Sequence, residues 1–364
     1  MKKLKVIIAG GGTGGHIFPA IAIANAIVKE NSTVEILFVG AKGKMEMEKV
    51  PLAGYKIIGL PVAGFQRKLS IQNLLFPLKL IVSLFKALKV LTSFKPDVCI
   101  GVGGYASGPI LQVANWLRIK TVIQEQNSYP GVTNKILAKK AQKIFTAFEN
   151  LDSFFPPQKT ILAGNPIREN IKEIKISSSE AKAKLNLNPN KKVVFVTGGS
   201  LGSSVINKSI SKSIEKFKDQ GVQLIWQTGK AYLNDYKMHE SAEHGIFVTD
   251  FIPSMEIAYA SADVIVSRAG GTISELACVG KPCVLLPSPN VAEDHQTKNV
   301  MALVKENAAI MIKDVEAEAT LGDTVLELLN NQELCIQLSK NIKLFARPEA
   351  AKHIALEILK MIQA

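Results

Sequence analysis

A glycine-rich segment near the start of the chain, AGGGTGGHIFPA at residues 9–20, has residue types that could bind a ligand. It follows the apolar run LKVIIA and precedes a second apolar stretch, so the pattern predicts a buried strand, a tight turn and a helix. The backbone N–H groups of such a turn can bind an anion or a closely approaching substrate at the start of the helix. A tight turn that binds nothing would have the same sequence.

Two common nucleotide-binding loops do not fit this segment. Residues 10–15 match GxGxxG, but the second predicted strand ends FVGAKGK, without the acidic residue that would bind the ribose of a dinucleotide. Glu35 lies at the wrong end of that strand, and His16 stands where a Walker loop requires lysine. Neither an NAD site nor a P-loop is therefore expected.

Three further glycine-rich segments follow predicted strands. They are GVGGYASGP at 101–109, TGGSLGS at 197–203 and SRAGGTISE at 267–275. Loops of this kind, repeated in both halves of the chain, favour a phosphorylated donor and a second phosphorylated partner.

The third of these segments also fits a different chemistry. Gly198, Ser200 and Gly202 satisfy the GxSxG pattern of a nucleophile elbow, and Asp263 and His295 follow in the order found in α/β-hydrolases. A serine hydrolase is therefore a rival interpretation, although a duplicated two-domain plan is atypical of that fold.

Polar residues accompany the fourth segment. Thr272 and Glu275 form the T-x-x-E pattern of a capping box, and the same carboxylate could instead accept hydrogen bonds from ribose hydroxyls. The segment EDHQTKN at 293–299 brings Gln296 and its polar neighbours close after a predicted strand. These residues suit sugar hydroxyls, and a solvated helix start is the alternative.

The elements that must position these residues alternate along the chain. After the first strand, the predicted strands lie within VEILFVG, KIIGL, DVCIGVGG, KTVIQEQ, KIFTA, KVVFVTGG, VQLIWQTG, GIFVTD, DVIVSRAGG and PCVLLP. Strands alternating with helices indicate parallel sheets covered on both faces, an α/β fold. The pattern restarts after GNPIREN, which predicts two doubly wound domains joined near residue 165 and a cleft that the glycine loops face.

Length and composition agree with two intracellular domains. The chain has 364 residues, enough for about two domains with separate cores. Its four cysteines are irregularly spaced, which favours a reducing, cytosolic setting over a disulfide framework or a metal site. The N-terminal apolar run is too short for a secretion signal.

The positive charge is confined to one half. Residues 1–164 hold 21 Lys and Arg against 8 Asp and Glu, whereas residues 165–364 hold 23 of each, so the net charge of +13 belongs to the first half. A basic half can bind anionic lipid, a phosphorylated substrate or nucleic acid, or it can carry scattered solvated lysines. Nucleic acid is not expected, because no RNP-like or zinc-finger pattern accompanies the charge.

The region 71–91 bears on whether the positive charge binds anionic lipid. In a helix, Lys79, Lys86 and Lys89 would lie near one face, and the lysines make a bilayer span improbable. Apolar residues fall on neighbouring turns: Leu75, Leu78, Val82 and Phe85. The pattern fits a helix whose lysines meet lipid headgroups at a membrane surface, or an ordinary helix covering the sheet.

Taken together, these motifs resemble the MurG family. GGTGGHIFPA, GVGGYASGP, EQN, GNPIR, GGSLGS, SRAGGTISE and EDHQTKN occur in this order across the whole length. The resemblance implies a GT-B fold and transfer of N-acetylglucosamine (GlcNAc) from UDP-GlcNAc to lipid I, undecaprenyl-pyrophosphoryl-MurNAc-pentapeptide, which gives lipid II for peptidoglycan. It also implies a peripheral position on the cytoplasmic face of the inner membrane, on anionic lipids, with proteins of cell-wall synthesis as partners.

The resemblance divides the chain into two Rossmann-like domains. Residues 1–164 would bind the lipid acceptor at the membrane, and the C-terminal helix at 348–364 would join this domain. Residues 165–347 would bind UDP-GlcNAc.

The resemblance also assigns site residues by motif. The main chain of Ile252 would bind uracil, Glu275 the ribose, and Ser200 with Arg168 the diphosphate. The other implied donor-site residues are Gly270, Gly271 and Thr272 at the α-phosphate and sugar, Gln296 and Asn127 at the GlcNAc hydroxyls, and Thr13, Gly14 and Gly15 from the first domain. The implied acceptor-site residues are Gly12, Gly103, Gly104 and Tyr105.

The implied reaction is an inverting displacement at the anomeric carbon by the C4 hydroxyl of MurNAc. His16 is the leading candidate for the general base, because a helix N-terminus favours its neutral form, and Glu125 is the second candidate. A structural role for His16 in ordering its loop is the alternative. No metal or other cofactor is expected, and no DxD pair occurs in the chain. A noncatalytic sugar-nucleotide binding protein remains a third interpretation.

Two features depart from the family pattern. Gln124 stands before EQN where the family more often has histidine, which argues against a role for that side chain in the reaction. SRAGGTISE is one residue shorter than the usual loop, so the roles within residues 270–272 shift by up to one position.

Overall fold

A computed structural model of the chain describes residues 3–62, 76–291 and 294–363. Its contacts divide the chain into two compact units. The first unit contains Met1–Arg168 and Arg347–Ala364, and the second contains Glu169–Ala346. The chain thus passes from the first unit to the second after Arg168, four residues later than the boundary predicted at residue 164.

The first unit is built on a parallel sheet of seven strands in the order β3-β2-β1-β4-β5-β6-β7. The strands are Lys5–Ala9 (β1), Glu35–Ala41 (β2), Lys56–Leu60 (β3), Val98–Gly101 (β4), Lys120–Glu125 (β5), Lys143–Thr146 (β6) and Thr160–Leu162 (β7). Strand β1 pairs with both β2 and β4, which brings the chain segments after β1 and β4 to the same edge of the sheet.

Helices cover both faces of this sheet. Those described in the first unit are Gly14–Glu30 (α1), Glu46–Leu52 (α2), Phe76–Phe94 (α3), Ser107–Trp116 (α4), Val132–Ala138 (α5) and, in chain order last, Ala350–Gln363 (α16). Along β1, Val6 and Ile8 pack in a core with α1 and α16, whereas Ile7 and Ala9 pack in a second core with α3 and α4. Because a strand that is buried on both faces has apolar residues at nearly every position, the continuous apolar run LKVIIA predicts β1.

The C-terminal helix returns to the first unit. Helix α16 packs on α1, with Ile354 and Ile358 in their shared core. The Lys143 ammonium pairs with Glu357, and Lys120 Nζ donates to the Met361 carbonyl over 2.6 Å. The end of the chain is therefore held by both apolar packing and polar contacts.

The second unit repeats the plan with six parallel strands in the order β10-β9-β8-β11-β12-β13. The strands are Val193–Thr197 (β8), Gln223–Gln227 (β9), Ile246–Thr249 (β10), Val264–Arg268 (β11), Cys283–Leu286 (β12) and Ile310–Met311 (β13). The helices are Glu169–Lys172 (α6), Ser178–Lys184 (α7), Ser204–Lys212 (α8), Ile214–Asp219 (α9), Leu233–Tyr236 (α10), Met255–Ser261 (α11), Thr272–Val279 (α12), His295–Lys305 (α13), Asp314–Asn330 (α14) and Gln332–Ile342 (α15). Short 3₁₀ turns lie at Pro157–Lys159, Lys237–His239 and Lys343–Phe345.

The predicted α/β class and all eleven predicted strands are confirmed. Two strands escaped prediction, β7 and β13, which are short and lie at sheet edges. The helix predicted at 71–91 is described over Phe76–Phe94, and residues 71–75, including Leu75, lie outside the described residues. Within the described part of the chain, no helix combines the length and the hydropathy that a bilayer span requires.

The two glycine loops of the first unit pack backbone against backbone. Gly104 has a φ of +82°, and a Cβ atom there would lie 2.2 Å from the Gly11 carbonyl oxygen. Gly10 is equally close to its neighbour loop, since a Cβ there would lie 2.3 Å from Val102 Cγ2. Side chains at these positions would separate the two loops.

We expect Gly104→Ala to lower the free energy of unfolding more than Gly54→Ala does. Both residues have positive φ, but a Cβ at Gly54 would meet no atom within 4 Å. The conformational cost of about 1–2 kcal/mol is common to both variants, and the collision with Gly11 should add about 1–3 kcal/mol. Urea unfolding of the two variants measures the difference. Equal destabilisation would contradict the close contact.

Candidate active site

His16 lies where the two glycine loops of the first unit meet. It is the third residue of α1, and its Nδ1 lies 3.2 Å from Thr13 Oγ1. A Cβ on Gly103 would lie 2.6 Å from His16 Cδ2, so the imidazole rests against the Gly103 backbone. The residues predicted in these two loops are thus brought together, with the Tyr105 side chain 51% exposed beside them.

Glu125 lies at the end of β5 and is 1% exposed. One carboxylate oxygen accepts hydrogen bonds from Asn127 N and Nδ2 over 3.0 and 3.1 Å. The other accepts from Gly131 N and Asn134 Nδ2 over 3.1 and 2.8 Å. Three donors from the loop after β5 and one from α5 surround the carboxylate, so Glu125 ties the segment that carries Asn127 to the start of that helix.

Burial raises the pKa of the Glu125 carboxyl above its ordinary value, and the hydrogen bonds from Asn134, Asn127 and Gly131 oppose that rise. Water has almost no access to the carboxylate. In this arrangement Glu125 organises the loop, and an attacking hydroxyl could reach it only after those bonds open.

Gln124 occupies the position where the family pattern has histidine. It is fully buried, and its Nε2 donates to Asn165 Oδ1 over 3.3 Å. Its Oε1 accepts from Gln126 Nε2, which also donates to the Val102 carbonyl. Gln124 therefore belongs to a buried amide chain that links β5 to the loop after β4 and to Asn165.

Arg168 ends the first segment of the first unit. Its guanidinium carbon lies 4.8 Å from the centre of the Phe18 ring, a cation–π contact. Phe18 follows His16 by two residues on α1, so the guanidinium is held next to the glycine loop that carries the candidate base.

In the second unit, Gln227 connects the loop of Ser200 to Ile252. Its Nε2 donates to Thr197 Oγ1 and to the Gly199 carbonyl, each over 3.0 Å, and its Oε1 accepts from Ile252 N over 2.9 Å. The amide of Ile252, whose main chain is predicted to bind uracil, is thus already hydrogen-bonded inside the protein.

The predicted capping box at Thr272 is wrong. Helix α12 begins at Thr272 and its N-cap is Gly271, so Thr272 lies one position inside the helix. Glu275 is buried on the first turn, and its carboxylate accepts a hydrogen bond from the Tyr259 hydroxyl over 2.9 Å. The carboxylate is therefore oriented by Tyr259.

The start of α13 lies beside the loop before α12. Gln296 Oε1 accepts from Ser288 N over 2.8 Å, and a Cβ on Gly270 would lie 3.6 Å from Gln296 Nε2. Asn299 is buried and donates to the Ala269 carbonyl over 3.2 Å. Gln296 and the predicted residues Gly270, Gly271 and Thr272 thus share one end of the sheet. Glu293, also named from sequence, lies outside the described residues.

Arg268 braces the two glycine loops of the second unit. Its guanidinium forms a two-pronged pair with Asp314, with one contact of 3.1 Å, and donates to Ser203 Oγ over 2.6 Å. Ser203 caps α8, which follows the loop of Ser200, and Arg268 precedes the loop at 269–271. One half-buried cation therefore connects the segments that follow both loops to α14.

The hydrolase interpretation is wrong. Asp263 precedes β11 and accepts hydrogen bonds from Val193 N and Lys182 Nζ, at the end of the sheet where β8 begins. Ser200 follows the other end of β8, a strand of five residues. The two side chains are separated by the length of the strands, roughly 15 Å. No Asp–His–Ser relay can form from these residues.

Comparison with known proteins decides the family. The chain matches the Glycosyltransferase family 28 N-terminal domain over residues 6–146 and the Glycosyltransferase family 28 C-terminal domain over residues 193–354. The chain belongs to glycosyltransferase family 28. Both units of the fold are therefore family 28 domains, which confirms the predicted resemblance and the two Rossmann-like domains.

Full-length relatives within family 28 share one name. A protein of Cytophaga hutchinsonii is 54% identical over 99% of this chain and 98% of its own length, and one of Flavobacterium psychrophilum is 51% identical over 100% and 99%. Both are named UDP-N-acetylglucosamine--N-acetylmuramyl-(pentapeptide) pyrophosphoryl-undecaprenol N-acetylglucosamine transferase.

Solved structures agree with the family 28 fold. The crystal structure of Acinetobacter baumannii MurG is 26% identical to this chain, covers 98% of it and 100% of its own chain, and superposes with a TM-score of 0.75. A Staphylococcus aureus MnaA–UDP structure is similar in fold alone, with 14% identity, a TM-score of 0.73 and coverage of 99% and 97%.

Sequence reasoning missed several residues that shape the site. They are Glu46, Asn134, Gln227 and Arg268, together with Phe18. Glu46, Asn134, Gln227 and Phe18 each touch a predicted residue, and Arg268 touches Ser203, the cap of the helix after the loop of Ser200. Gln227 and Arg268 are polar residues at the ends of strands, which was an available signal, but their partners could not be predicted from spacing.

We expect Glu125→Gln to change how stability depends on pH. The folded-state pKa of Glu125 is raised above that of the unfolded chain, so its stabilising contribution is full at low pH and is lost as the pH rises through the folded-state pKa. The free energy of unfolding of the wild type should therefore fall relative to that of Glu125→Gln as the pH rises above about 4.5.

Urea unfolding between pH 4 and 8 measures this difference. Glu149→Gln is the matched control, because Glu149 is exposed in the same unit. A wild-type to Glu125→Gln difference that stays constant across this range would contradict the raised pKa.

Proposed function

We propose that this chain transfers GlcNAc from UDP-GlcNAc to the C4 hydroxyl of MurNAc in lipid I, releasing UDP and forming lipid II. The observation that carries the proposal is the full-length similarity to family 28 relatives bearing that transferase name, at 49–54% identity. The site agrees in chemistry, since each unit presents glycine loops and helix N-termini suited to a diphosphate.

The second unit would hold most of UDP-GlcNAc. Glu275, oriented by Tyr259, would accept hydrogen bonds from the ribose hydroxyls. Ser200 and the N-terminus of α12 at residues 270–272 would meet the phosphates, and Gln296 the sugar. Uracil would meet the buried main chain at Ile252, whose amide donates to Gln227 Oε1.

Catalysis would rest on preorganised donors. As the bond from the anomeric carbon to the diphosphate breaks, negative charge grows on the departing UDP. Backbone N–H groups at helix starts and the Arg168 guanidinium can stabilise that charge without reorganising. Phe18 limits the freedom of Arg168 in advance.

The first unit would hold lipid I and the base. In the neutral His16 tautomer that donates from Nδ1 to Thr13 Oγ1, Nε2 carries the basic lone pair and would accept the proton of the attacking hydroxyl. Gly103, Gly104 and Tyr105 lie beside it and would contact the acceptor. Asn127, held by Glu125, would contact GlcNAc hydroxyls.

We expect His16→Ala to lower kcat about 10²- to 10⁴-fold, the usual contribution of a general base. The dissociation constant of UDP-GlcNAc should change little, because its main contacts are in the second unit. Disaccharide formation on a short-chain lipid I analogue gives kcat, and calorimetry gives the binding constant.

The matched control is His353→Ala, an exposed histidine on α16. Retained turnover with damaged UDP-GlcNAc binding in His16→Ala would contradict the role as base. Binding of UDP-GlcNAc by the wild type without any turnover would favour the noncatalytic interpretation.

We further propose that α3 touches the membrane surface. Its inner side packs on α4 through Ala87, Val90 and Leu91. Its outer side exposes the large apolar residues Leu78, Ile81, Val82, Phe85 and Leu88, and Leu80 is also exposed. Apolar side chains of this number on one helix, on the basic half of the chain, suit anionic lipid at the cytoplasmic face of the inner membrane.

The three lysines of α3 do not all point to lipid headgroups, in contrast to what the sequence pattern predicted. Lys86 does not join a common lysine face, because its Nζ donates to the Gly59 carbonyl over 2.7 Å. Lys89 is exposed and Lys79 is half-buried. Lys79 and Lys89 would therefore meet lipid headgroups, while Lys86 anchors the helix to β3.

We expect Phe85→Glu to weaken binding to phosphatidylglycerol vesicles about tenfold or more, because Phe85 is 69% exposed on this face and its burial in lipid would be lost. Val315→Glu is the control, since Val315 is 89% exposed in the second unit. Vesicle co-sedimentation gives both partition coefficients. Equal binding by the two variants would contradict α3 as the contact.

A further inference from the structure

Glu46 is a buried carboxylate under the first glycine loop. It begins α2 and is 1% exposed. Its Oε2 accepts a hydrogen bond from Gly12 N over 2.8 Å, and its Oε1 accepts from Ala41 N over 2.8 Å. One side chain therefore joins the loop after β1 to the end of β2.

The surrounding backbone leaves room for this carboxylate by lacking side chains. A Cβ on Gly11 would lie 2.3 Å from the Glu46 carboxyl carbon, and a Cβ on Gly40 would lie 2.4 Å from Glu46 Cγ. Gly11 and Gly12 have φ angles of +139° and +93°, which side-chain-bearing residues rarely adopt. The requirement for glycine at Gly11 and Gly12 is thus explained by local packing and backbone conformation, without any ligand.

A carboxylate suits this position better than an amide. Each oxygen faces one backbone N–H, so both acceptors are used and both donors are satisfied. A glutamine of the same shape would accept from one N–H and point its own NH₂ at the other. A buried donor left unpaired destabilises the conformation that buries it.

The hydrogen bond from Gly12 to Glu46 also determines which N–H groups of the loop can donate to a ligand. Because Gly12 N donates to Glu46, this N–H group is already used inside the protein, and a role of Gly12 in the acceptor site would depend on its other atoms. The first N–H groups of α1, at Gly14 and Gly15, have no acceptor within the helix. Thr13, which follows Gly12, contacts His16.

From this geometry we infer that Glu46 is a positioning residue for transfer: it holds the loop at residues 11–13 so that His16 and the start of α1 are aligned with the reacting groups. The inference rests on the proposed function. Glu46 itself touches neither substrate, and it acts through Gly12 and Thr13. Displacing a reacting group by about 1 Å can cost on the order of 10²-fold in rate.

The test compares Glu46→Gln with Glu48→Gln. Glu48 lies on the same short helix, and its side chain is 71% exposed. We expect Glu46→Gln to lower kcat about tenfold or more and to leave the KM for UDP-GlcNAc within about twofold. Glu48→Gln should match the wild type in both. Rates are normalised to the molecules that bind UDP-GlcNAc, so partial unfolding does not imitate the effect.

Amide hydrogen exchange gives a second readout. In the wild type the Gly12 and Ala41 amides should be protected, and in Glu46→Gln at least one of them should exchange about tenfold faster or more, since a single side-chain acceptor remains. The wild-type measurement stands even if the variant does not fold.

Wild-type kcat in folded Glu46→Gln, or a Gly12 amide that exchanges freely in the wild type, would overturn the inference. A wild-type chain that forms no disaccharide would refute the proposed function instead, while the exchange data would still show whether Glu46 holds the loop.

Discussion

The close approach of two glycine loops is the constraint on which the first unit depends. Strands β1 and β4 are neighbours in a parallel sheet, so the loops after them must turn side by side, and Gly104 lies against the Gly11 carbonyl where a Cβ would collide. Bringing backbones this close buries N–H and C=O groups that need partners. The Glu46 carboxylate supplies acceptors beneath one loop, and the Gln126 side chain supplies a donor to the Val102 carbonyl before the other. The histidine rests on the surface so formed.

The second unit meets the same requirement with other residues. Gln227 satisfies Gly199 and Ile252, and Arg268 pairs with Asp314 while it contacts the cap of α8. In both units, buried polar side chains use the inner backbone groups of the loops, and the helix starts remain for a ligand. A rigid loop whose N–H donors already point at the ligand does not have to reorganise when negative charge develops during a reaction, and it therefore stabilises that charge. The proposed transfer from UDP-GlcNAc depends on this property.

Much of this could be predicted from the sequence because the signals are local. Continuous apolar runs such as LKVIIA predict buried parallel strands, and glycine at the strand exits predicts the loops. The failures concern contacts between segments distant in sequence. Thr272 and Glu275 have the spacing of a capping box, but the helix starts one residue too early for it, and Glu275 meets Tyr259 instead. The hydrolase order of Ser200 and Asp263 did not reveal that the two lie at opposite ends of β8 and β11. Glu46 gave no signal, because its partners are backbone amides.

The most direct test of the account follows labelled GlcNAc from UDP-GlcNAc to a short-chain lipid I analogue in the presence of EDTA, with UDP and the lipid-linked disaccharide measured together. Both products should form in equal amounts, and EDTA should not prevent their formation, since the groups assigned to the diphosphate are backbone N–H donors, Ser200 and Arg168. Binding of UDP-GlcNAc without disaccharide would contradict the acceptor and base assignments in the first unit. UDP release without disaccharide would contradict transfer itself and would indicate hydrolysis of the donor.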